Sequence, residues 1–179
     1  ENTIVKEDLK ALIDYLDTHP IPCGFTEEET KYFNLRDERV DYIHSITHND
    51  DHPAGDCSHV IDHKIYQCMC FVDEKEEKEL LKVMPHCISA RWHPTFCDIS
   101  PVGGTKKNGI NKFLEHYNIK LEETMAFGDG GNDIPMLRAV GIGVAMGNAS
   151  DNVKKHADYV TASVDEDGLY KAFRHFELI

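Results

Sequence analysis

The chain has 179 residues, of which 41% are hydrophobic, so it is long enough for one ordinary domain or two small ones with a packed core. Its 19 basic and 32 acidic side chains give a formal net charge of −13, which argues against nucleic acid as a partner because a polyphosphate backbone would be repelled. No run approaches the ~18 consecutive apolar residues of a membrane span, so no membrane partner is expected either.

The acidic charge is distributed unevenly along the chain. Residues 1–98 contain 10 basic and 21 acidic side chains, a balance of −11, whereas residues 99–179 contain 9 and 11, a balance of −2. This difference predicts that the two parts belong to different structural units, with the boundary near residue 98.

The first part is predicted to mix helices and strands. Apolar residues recur at helical spacing over residues 5–16, and residues 21–30 resemble a turn into an acidic helix with Thr26 as its N-cap. Residues 44–58 are polar and rich in turn formers, which predicts a loop. The pattern then predicts a strand at 64–72, a helix at 73–83, and strands at 87–92 and 95–99. Residues 1–98 are therefore predicted to form an α+β unit.

From about residue 100, strands and helices alternate with short connections. The predicted helices are 106–117, 134–140, 150–156 and 168–176, and the predicted strands are 124–127, 141–146 and 159–161. Alternation of this kind is typical of an α/β fold with a parallel, doubly wound sheet.

Six cysteines occur, all in the first part and at irregular spacing. A chain of this length does not need disulfides, which predicts reduced thiols and a cytoplasmic location. Five residues of the types that bind zinc form what we call the Cys–His group: Cys57, His59, His63, Cys68 and Cys70. No Cys-x2-Cys pair recurs with a matching pair downstream, and Cys68 and Cys70 alternate with Met69 as they would in a strand. We therefore interpret these cysteines as core thiols and not as a zinc site.

Two carboxylates follow a predicted buried strand in the segment MAFGDGGNDIPML, which spans residues 125–137. Asp129 and Asp133 are spaced i, i+4 among glycines, at the strand end where parallel sheets bind ligands. Carboxylates, with water and phosphate oxygens, are the ligands that Mg2+ prefers, and the amide of Asn132 is suited to orienting a carboxylate or contacting a phosphate. The alternative is an ordinary turn, since Gly, Asn and Asp all favour turns.

A second polar segment, PVGGTKKNGI, spans residues 101–110. Thr105 is a predicted N-cap, which places Lys106 and Lys107 in the first turn of a helix. Cations are disfavoured at the positive end of the helix dipole, so this pair requires an anion such as a phosphate or an aspartate cluster. The alternative is two solvated surface lysines.

Together these segments resemble the Cof-type branch of the haloacid dehalogenase-like phosphatases. The resemblance covers about residues 99–179 and is carried by ordered motifs: PVGGTK and GI at 101–110, GDGGND at 128–133, ML at 136–137, GVAMGNA at 143–149, VK at 153–154, AD at 157–158 and DEDG at 165–168. Over residues 1–98 it depends on placement, because an α+β cap domain precedes the lysine motif in that family. It implies that residues 99–179 are the second half of a Rossmann-like core and residues 1–98 a cap that selects the substrate.

The resemblance also implies a Mg2+-dependent phosphomonoester hydrolase acting on small phosphorylated metabolites such as sugar phosphates. Lys106 matches the lysine that neutralises the nucleophile and the transferring phosphoryl group. Asp129 matches the metal ligand, and Asp133 matches its partner, which often acts through water or hydrogen bonds. Asn132 matches a phosphate or loop-ordering contact. Lys107 departs from the pattern, because the family usually has Gly there.

The family's nucleophile and general acid–base are two aspartates in an Asp-x-Asp motif that precedes the cap. No apolar strand leads into such a motif here, and Asp165–Asp167 has the spacing but resembles the family's Asp-Gly tail. We expect the nucleophile in a segment outside these 179 residues, and the chain alone to be inactive. A phosphotransferase or mutase using the same site, and a non-catalytic module that binds metal and phosphate, are the alternatives.

The predicted strand pair of the first part carries side chains suited to sugar hydroxyls. Arg91 and His93 offer donors and Trp92 offers a ring face, with Asp98 close by. The alternative is that they are ordinary surface residues at a strand end. We expect Arg91 and His93 to contact the hydroxyl-rich end of the substrate.

Overall fold

The computed structural model describes residues 2–47 and 52–179. They form two compact units: unit 1 ends at Gly104, and unit 2 comprises Thr105–Ile179. The sequence placed the boundary earlier, after residue 98. The difference arises because the last strand of unit 1 continues through Pro101 and is paired along its length. None of the described helices is long and apolar enough to cross a membrane.

Unit 1 has the α+β character that its sequence predicts. Its elements are the helices α1 (Lys6–Thr18), α2 (Glu38–Thr47) and α3 (Glu74–Val83), and the strands β1 (Cys23–Thr26), β2 (Lys31–Phe33), β3 (Gln67–Cys70), β4 (Cys87–His93) and β5 (Phe96–Pro101). The strands form one antiparallel sheet in the order β2-β1-β3-β5-β4.

The prediction for residues 21–30 is wrong, because these residues begin a β-hairpin and not a helix. Thr26 is no N-cap: it is paired with Lys31 on β2 and with Gln67 on β3. The acidic residues form the turn, which the N–H of Glu27 closes by donating to the carbonyl of Thr30 at 2.9 Å.

The loop predicted over residues 44–58 begins inside α2, which extends to Thr47. Residues 48–51 of that loop lie outside the described residues. A 3-10 turn, Ser58–Asp62, follows it. The helix that carries the start of this segment was not predicted, since its buried residues are only Val40 and Ile43.

Alternation along the strands gives the sheet two different faces. One face packs against α1 and α3, and its buried strand residues are Cys23, Phe25, Cys68, Cys70, Cys87, Cys97 and Ile99. The other face forms a second cluster with α2, made by Phe33, Val40, Ile43, Met69, Phe71 and Phe96. Cys68 and Cys70 are fully buried in the first cluster, as the core-thiol interpretation predicts.

Unit 2 alternates strands and helices and has the predicted α/β fold. Its elements are α4 (Lys106–Tyr117), β6 (Met125–Gly128), α5 (Ile134–Leu137), β7 (Ile142–Ala145), α6 (Asp151–Lys154), β8 (Tyr159–Val160) and α7 (Gly168–His175). The three strands are parallel in the order β6-β7-β8, so their carboxyl ends lie at one edge of the sheet.

Candidate active site

Asp129 and Asp133 lie in the loop that follows β6. The strand ends at Gly128, and a 3-10 turn, Gly131–Asp133, leads directly into α5. The N–H of Asp133 donates to the carbonyl of Gly130 at 3.0 Å, which closes the turn. As a result Asp129 is exposed, whereas Asp133 is buried with 5% of its surface accessible.

The Asp133 carboxylate is the centre of the hydrogen bonding in this loop. Its Oδ2 accepts from the N–H groups of Asp129 and Gly130, both at 3.1 Å, and its Oδ1 forms an ion pair with Nζ of Lys106. Burial by itself would raise the pKa of Asp133, but Lys106 and the two N–H groups more than offset it and hold that pKa below its usual range. The carboxylate is therefore ionised at neutral pH and positions the lysine.

Two glycines make room for these side chains. A Cβ at Gly128 would lie 2.6 Å from the Cβ of Asp133, so any larger residue would displace the carboxylate. A Cβ at Gly130 would clash with Oδ1 of Asn132, which folds back over the loop. By contrast, a Cβ at Gly131 would meet no atom within 4 Å. Gly128 is thus required by close approach, whereas a rotation of the Asn132 side chain would admit a Cβ at Gly130.

Lys106 is the first residue of α4, as predicted. Thr105 caps this helix, its hydroxyl accepting from the N–H of Asn108 at 3.2 Å. The predicted need for an anion at this end of the helix is met by Asp133, 27 residues along the chain. Because 55% of the Lys106 side chain remains exposed, its ammonium still has donors for a further anion.

Asn148 is a residue of this site that the sequence analysis did not single out. Its Nδ2 donates to Oδ2 of Asp129 at 2.8 Å, while its Oδ1 accepts from the N–H of Val164 at 3.2 Å. Asn148 follows β7, the neighbour of β6 in the parallel sheet. The signal that identifies it is therefore topological: polar residues after adjacent parallel strands meet at one edge.

The two predicted metal ligands differ in what they offer a cation. Both oxygens of Asp133 are used by Lys106 and the loop, so this residue suits a supporting role and not direct coordination. Asp129 is exposed. Among residues 2–47 and 52–179, its carboxylate accepts one side-chain hydrogen bond, which Asn148 donates to Oδ2. A single exposed carboxylate fits Mg2+, which keeps several waters and uses one or two carboxylates with substrate phosphate. In that described part of the chain, no group of three or more His, Cys, Asp or Glu residues has a metal-binding arrangement.

Arg91 and His93 belong to unit 1 and make extensive contacts within it. The guanidinium of Arg91 donates to Glu77 at 2.9 and 2.7 Å and to the carbonyls of Val72 and Pro94 at 2.9 Å each. Nδ1 of His93 lies 2.8 Å from the hydroxyl of Thr95. These contacts favour the alternative of a structural role for Arg91, whose donors are largely used.

The chain matches the family described as haloacid dehalogenase-like hydrolase over residues 1–173. It belongs to that family. The Bacillus subtilis protein YkrA, a phosphatase by name, is 34% identical to this hydrolase over 181 residues, covering 100% of the chain and 69% of YkrA. The solved structure of the subclass IIB sugar phosphatase BT4131 has a TM-score of 0.92 and 42% identity, over 100% of this chain and 69% of that one.

A further relative adds the name of a substrate. The Bacillus subtilis 5-amino-6-(5-phospho-D-ribitylamino)uracil phosphatase YcsE is 45% identical over 85 residues, which are 48% of this hydrolase and 34% of YcsE. The similarity to YkrA and BT4131 extends over the whole chain. It therefore includes unit 1, for which the sequence supported the resemblance only through the position of residues 1–98 before the lysine motif. The chain spans about two thirds of the length of those two proteins.

Proposed function

We propose that this hydrolase is part of a Mg2+-dependent phosphatase acting on small, hydroxyl-rich phosphomonoesters, sugar phosphates foremost. The observation that carries the proposal is the network after β6, in which Asp133 pairs with Lys106 through one oxygen and accepts from the N–H of the exposed Asp129 through the other. The names of BT4131, a sugar phosphatase, and of YcsE, whose substrate carries a phosphorylated ribityl chain, support this substrate class.

In the proposed reaction Lys106 offsets negative charge on the phosphoryl group, the largest contribution that a protein makes to phosphoryl transfer. Its ammonium is fixed by Asp133 on one side and keeps donors for phosphate oxygens on the other. Mg2+, held by Asp129, would supply further charge compensation when bound. Asn148 orients the Asp129 carboxylate, and Asn132 is proposed to contact the phosphate or order the loop.

The proposed nucleophile is an aspartate in a segment outside these 179 residues. Its carboxylate attacks phosphorus while the P–O bond to the substrate breaks and the second aspartate of the motif protonates the leaving oxygen; water then cleaves the aspartyl phosphate to inorganic phosphate and the free carboxylate. Two observations support such a segment. β6 is an edge strand of a sheet of only three strands, and α4 has no buried residue, with Phe113 and Tyr117 exposed at 57% and 59%. An additional strand and its connections would cover both.

The test is phosphate release from glucose 6-phosphate by the longer protein at varied Mg2+. Asp129→Asn is expected to lower kcat strongly and weaken the Mg2+ dependence, and Asp133→Asn to lower kcat by about 10–100-fold, as for a group that supports a ligand. Glu115→Gln, an exposed carboxylate near the end of α4, is the control and keeps the parental rate.

Three outcomes would contradict the proposal. Near-parental rates for both Asp129→Asn and Asp133→Asn at low Mg2+ would contradict the assignment of Asp129 as the Mg2+ ligand and of Asp133 as its support. Sustained Mg2+-dependent turnover by the 179-residue chain alone would contradict the proposal that the nucleophile lies in a segment outside these residues. Binding of Mg2+ and phosphate by the longer protein without turnover would instead favour the non-catalytic module.

Unit 1 is proposed to act as the cap that selects the substrate, with Arg91 and His93 as its predicted hydroxyl contacts. If they contact the leaving group, substituting either residue changes kcat/KM among sugar phosphates by several-fold and leaves aryl phosphate hydrolysis nearly unchanged. Equal losses of kcat/KM on every substrate would show that Arg91 and His93 stabilise the fold and do not contact the substrate. For Arg91, the ion pair with Glu77 favours this structural role.

A further inference from the structure

Asn148 joins the loops that follow the three parallel strands of unit 2. It lies after β7, and its Nδ2 donates to Oδ2 of Asp129, in the loop after β6, at 2.8 Å. Its Oδ1 accepts from the N–H of Val164, in the loop after β8, at 3.2 Å. A backbone N–H can only donate, so the oxygen of the amide must face Val164 and its NH2 group must face Asp129. The orientation of this side chain is therefore fixed from both ends.

The loop that contacts Asn148 is itself held closely. Ser163 and Glu166 close a 3-10 turn, in which the hydroxyl of Ser163 donates to Oε2 of Glu166 at 2.9 Å. The N–H of Glu166 donates in turn to the carbonyl of Ser163 at 3.1 Å. A Cβ at Gly147, next to Asn148, would lie 2.5 Å from the backbone nitrogen of Ser163, so the two segments touch without an intervening side chain. The N–H of Val164 is thus a donor in a fixed position.

The contact with Asn148 makes the two oxygens of the Asp129 carboxylate unequal. Oδ2 accepts the bond from Asn148, whereas Oδ1 takes part in no side-chain hydrogen bond to the residues that the structure describes. The amide hydrogen brings partial positive charge next to Oδ2 and occupies space there, so a cation is directed to Oδ1. Asp129 is therefore arranged to give a cation one oxygen and not two.

Coordination by one oxygen distinguishes between two common divalent cations that prefer oxygen ligands. Mg2+ requires near-ideal octahedral geometry at about 2.0–2.1 Å, retains several waters and uses one or two carboxylates. Ca2+ is larger, takes about six to eight oxygens at about 2.3–2.6 Å and readily binds both oxygens of one carboxylate. A carboxylate restricted to one oxygen therefore fits Mg2+ and lacks the second ligand that Ca2+ uses.

We infer that Asn148 is a positioning residue that makes Asp129 selective for Mg2+ over Ca2+. The N–H of Val164 holds Asn148, and Asn148 keeps Oδ2 of Asp129 out of the coordination of the cation. This inference rests on the proposed function, because it takes Asp129 as the metal ligand. It extends the determinants of metal choice to the loop after β8, which acts through Asn148.

The measured quantity is the ratio of the dissociation constant for Ca2+ to that for Mg2+, from calorimetric titration of the longer protein with each chloride salt. Asn148→Ala is expected to weaken Mg2+ binding by about tenfold, as loss of a ligand's hydrogen-bond partner does. Ca2+ binding should weaken less, because Oδ2 becomes available to it, so the ratio should fall by about threefold or more. Asn152→Ala, the same substitution at an exposed position of α6, should leave both constants unchanged.

Substitution of Val164 tests the loop without changing Asp129 or Asn148. Val164 begins the 3-10 turn after Ser163, whose φ of −66° and ψ of 166° suit a residue that precedes proline. Proline is tolerated at the first position of a helical turn, and the Val164 side chain is 63% exposed, so Val164→Pro chiefly removes the N–H that Asn148 accepts. It is expected to lower the ratio as Asn148→Ala does, whereas Val164→Ala, which keeps the N–H, should not.

A merely structural role for Asn148 would weaken the binding of both cations equally and leave the ratio unchanged. An unchanged ratio in both Asn148→Ala and Val164→Pro, with folding verified by circular dichroism, would overturn the inference. A lower ratio in Asn148→Ala alone would support the role of Asn148 and overturn the part assigned to the loop.

Asp129→Asn separates this inference from the proposed function. If it weakens the binding of both cations while Asn148→Ala leaves the ratio unchanged, only the selectivity inference fails. If it leaves both dissociation constants unchanged, or if the parent binds neither cation, Asp129 is not the metal ligand and both proposals fail. Selective Mg2+ binding that responds to Asn148→Ala, without turnover of glucose 6-phosphate, would keep the inference and contradict the proposed catalysis.

Discussion

Replacing Asp133 with asparagine tests the network after β6 without changing the size of the side chain. Hydrogen bonds to an ionised acceptor contribute about 1.5–3 kcal/mol each, and those to a neutral one about 1. The amide oxygen of asparagine keeps the bonds from Asp129 and Gly130 in weaker form, a loss of about 1 kcal/mol. Its NH2 group then faces the Lys106 ammonium, donor against donor, at a cost of about 1 kcal/mol more, kept small by the 55% exposure of Lys106. We expect a loss of about 2 kcal/mol in the free energy of unfolding of unit 2.

Two spectroscopic probes separate the units in this experiment. The fluorescence of Trp92 follows unit 1, whereas far-ultraviolet circular dichroism follows both units. Asp133→Asn should lower the midpoint of the dichroism transition by about 1 M urea and leave the fluorescence transition unchanged. Glu115→Gln should change neither. An unchanged dichroism midpoint for Asp133→Asn, or complete additivity of Asp133→Asn with Lys106→Met in a double-mutant cycle, would refute the reasoning.

Three further predictions follow from the same structure. Gly128→Ala should destabilise unit 2 by about 1–3 kcal/mol, because its Cβ overlaps Asp133, whereas Gly131→Ala should cost little; similar urea midpoints would contradict this. Folding lowers the pKa of Asp133, so its stabilising effect is present above the pKa of an unfolded aspartate, about 4, and is lost as pH falls through the lower folded value. The stability difference between the parent and Asp133→Asn should therefore shrink on acidification below about pH 4, and a constant difference would disprove it. The Cys–His group should bind less than one zinc per chain by elemental analysis, and one zinc per chain would overturn the core-thiol interpretation.

The elements that the sequence predicts well are those whose pattern is local. The parallel strands of unit 2 and the helix beginning at Lys106 have their own apolar period and cap, and both are found in place. The β1–β2 hairpin was missed because its acidic turn resembles the first turn of a helix. Its strand identity comes from Cys23 and Phe25, which are buried only when β1 is paired with β3 much later in the chain.

The same distinction applies to the candidate site. The spacing of Asp129 and Asp133 around glycines predicts a polar loop, but it does not show that both oxygens of Asp133 are used. That result depends on Lys106, 27 residues away, and the contact of Asp129 with Asn148 spans 19 residues.

The contrast between Asp129 and Asp133 allows chemistry to be separated from folding at one site. Asp133 is buried and holds the loop together, so Asp133→Asn should lose stability and activity at once, because Lys106 moves when its anchor weakens. Asp129 is exposed and accepts one side-chain hydrogen bond, from Asn148, so Asp129→Asn should keep the free energy of unfolding within about 0.5 kcal/mol of the parent, as surface substitutions do. Its kcat in the longer protein should nevertheless fall further than that of Asp133→Asn. If Asp129→Asn instead loses as much stability as Asp133→Asn, its effect on rate is structural, and the metal-ligand role proposed for Asp129 has no support from that rate.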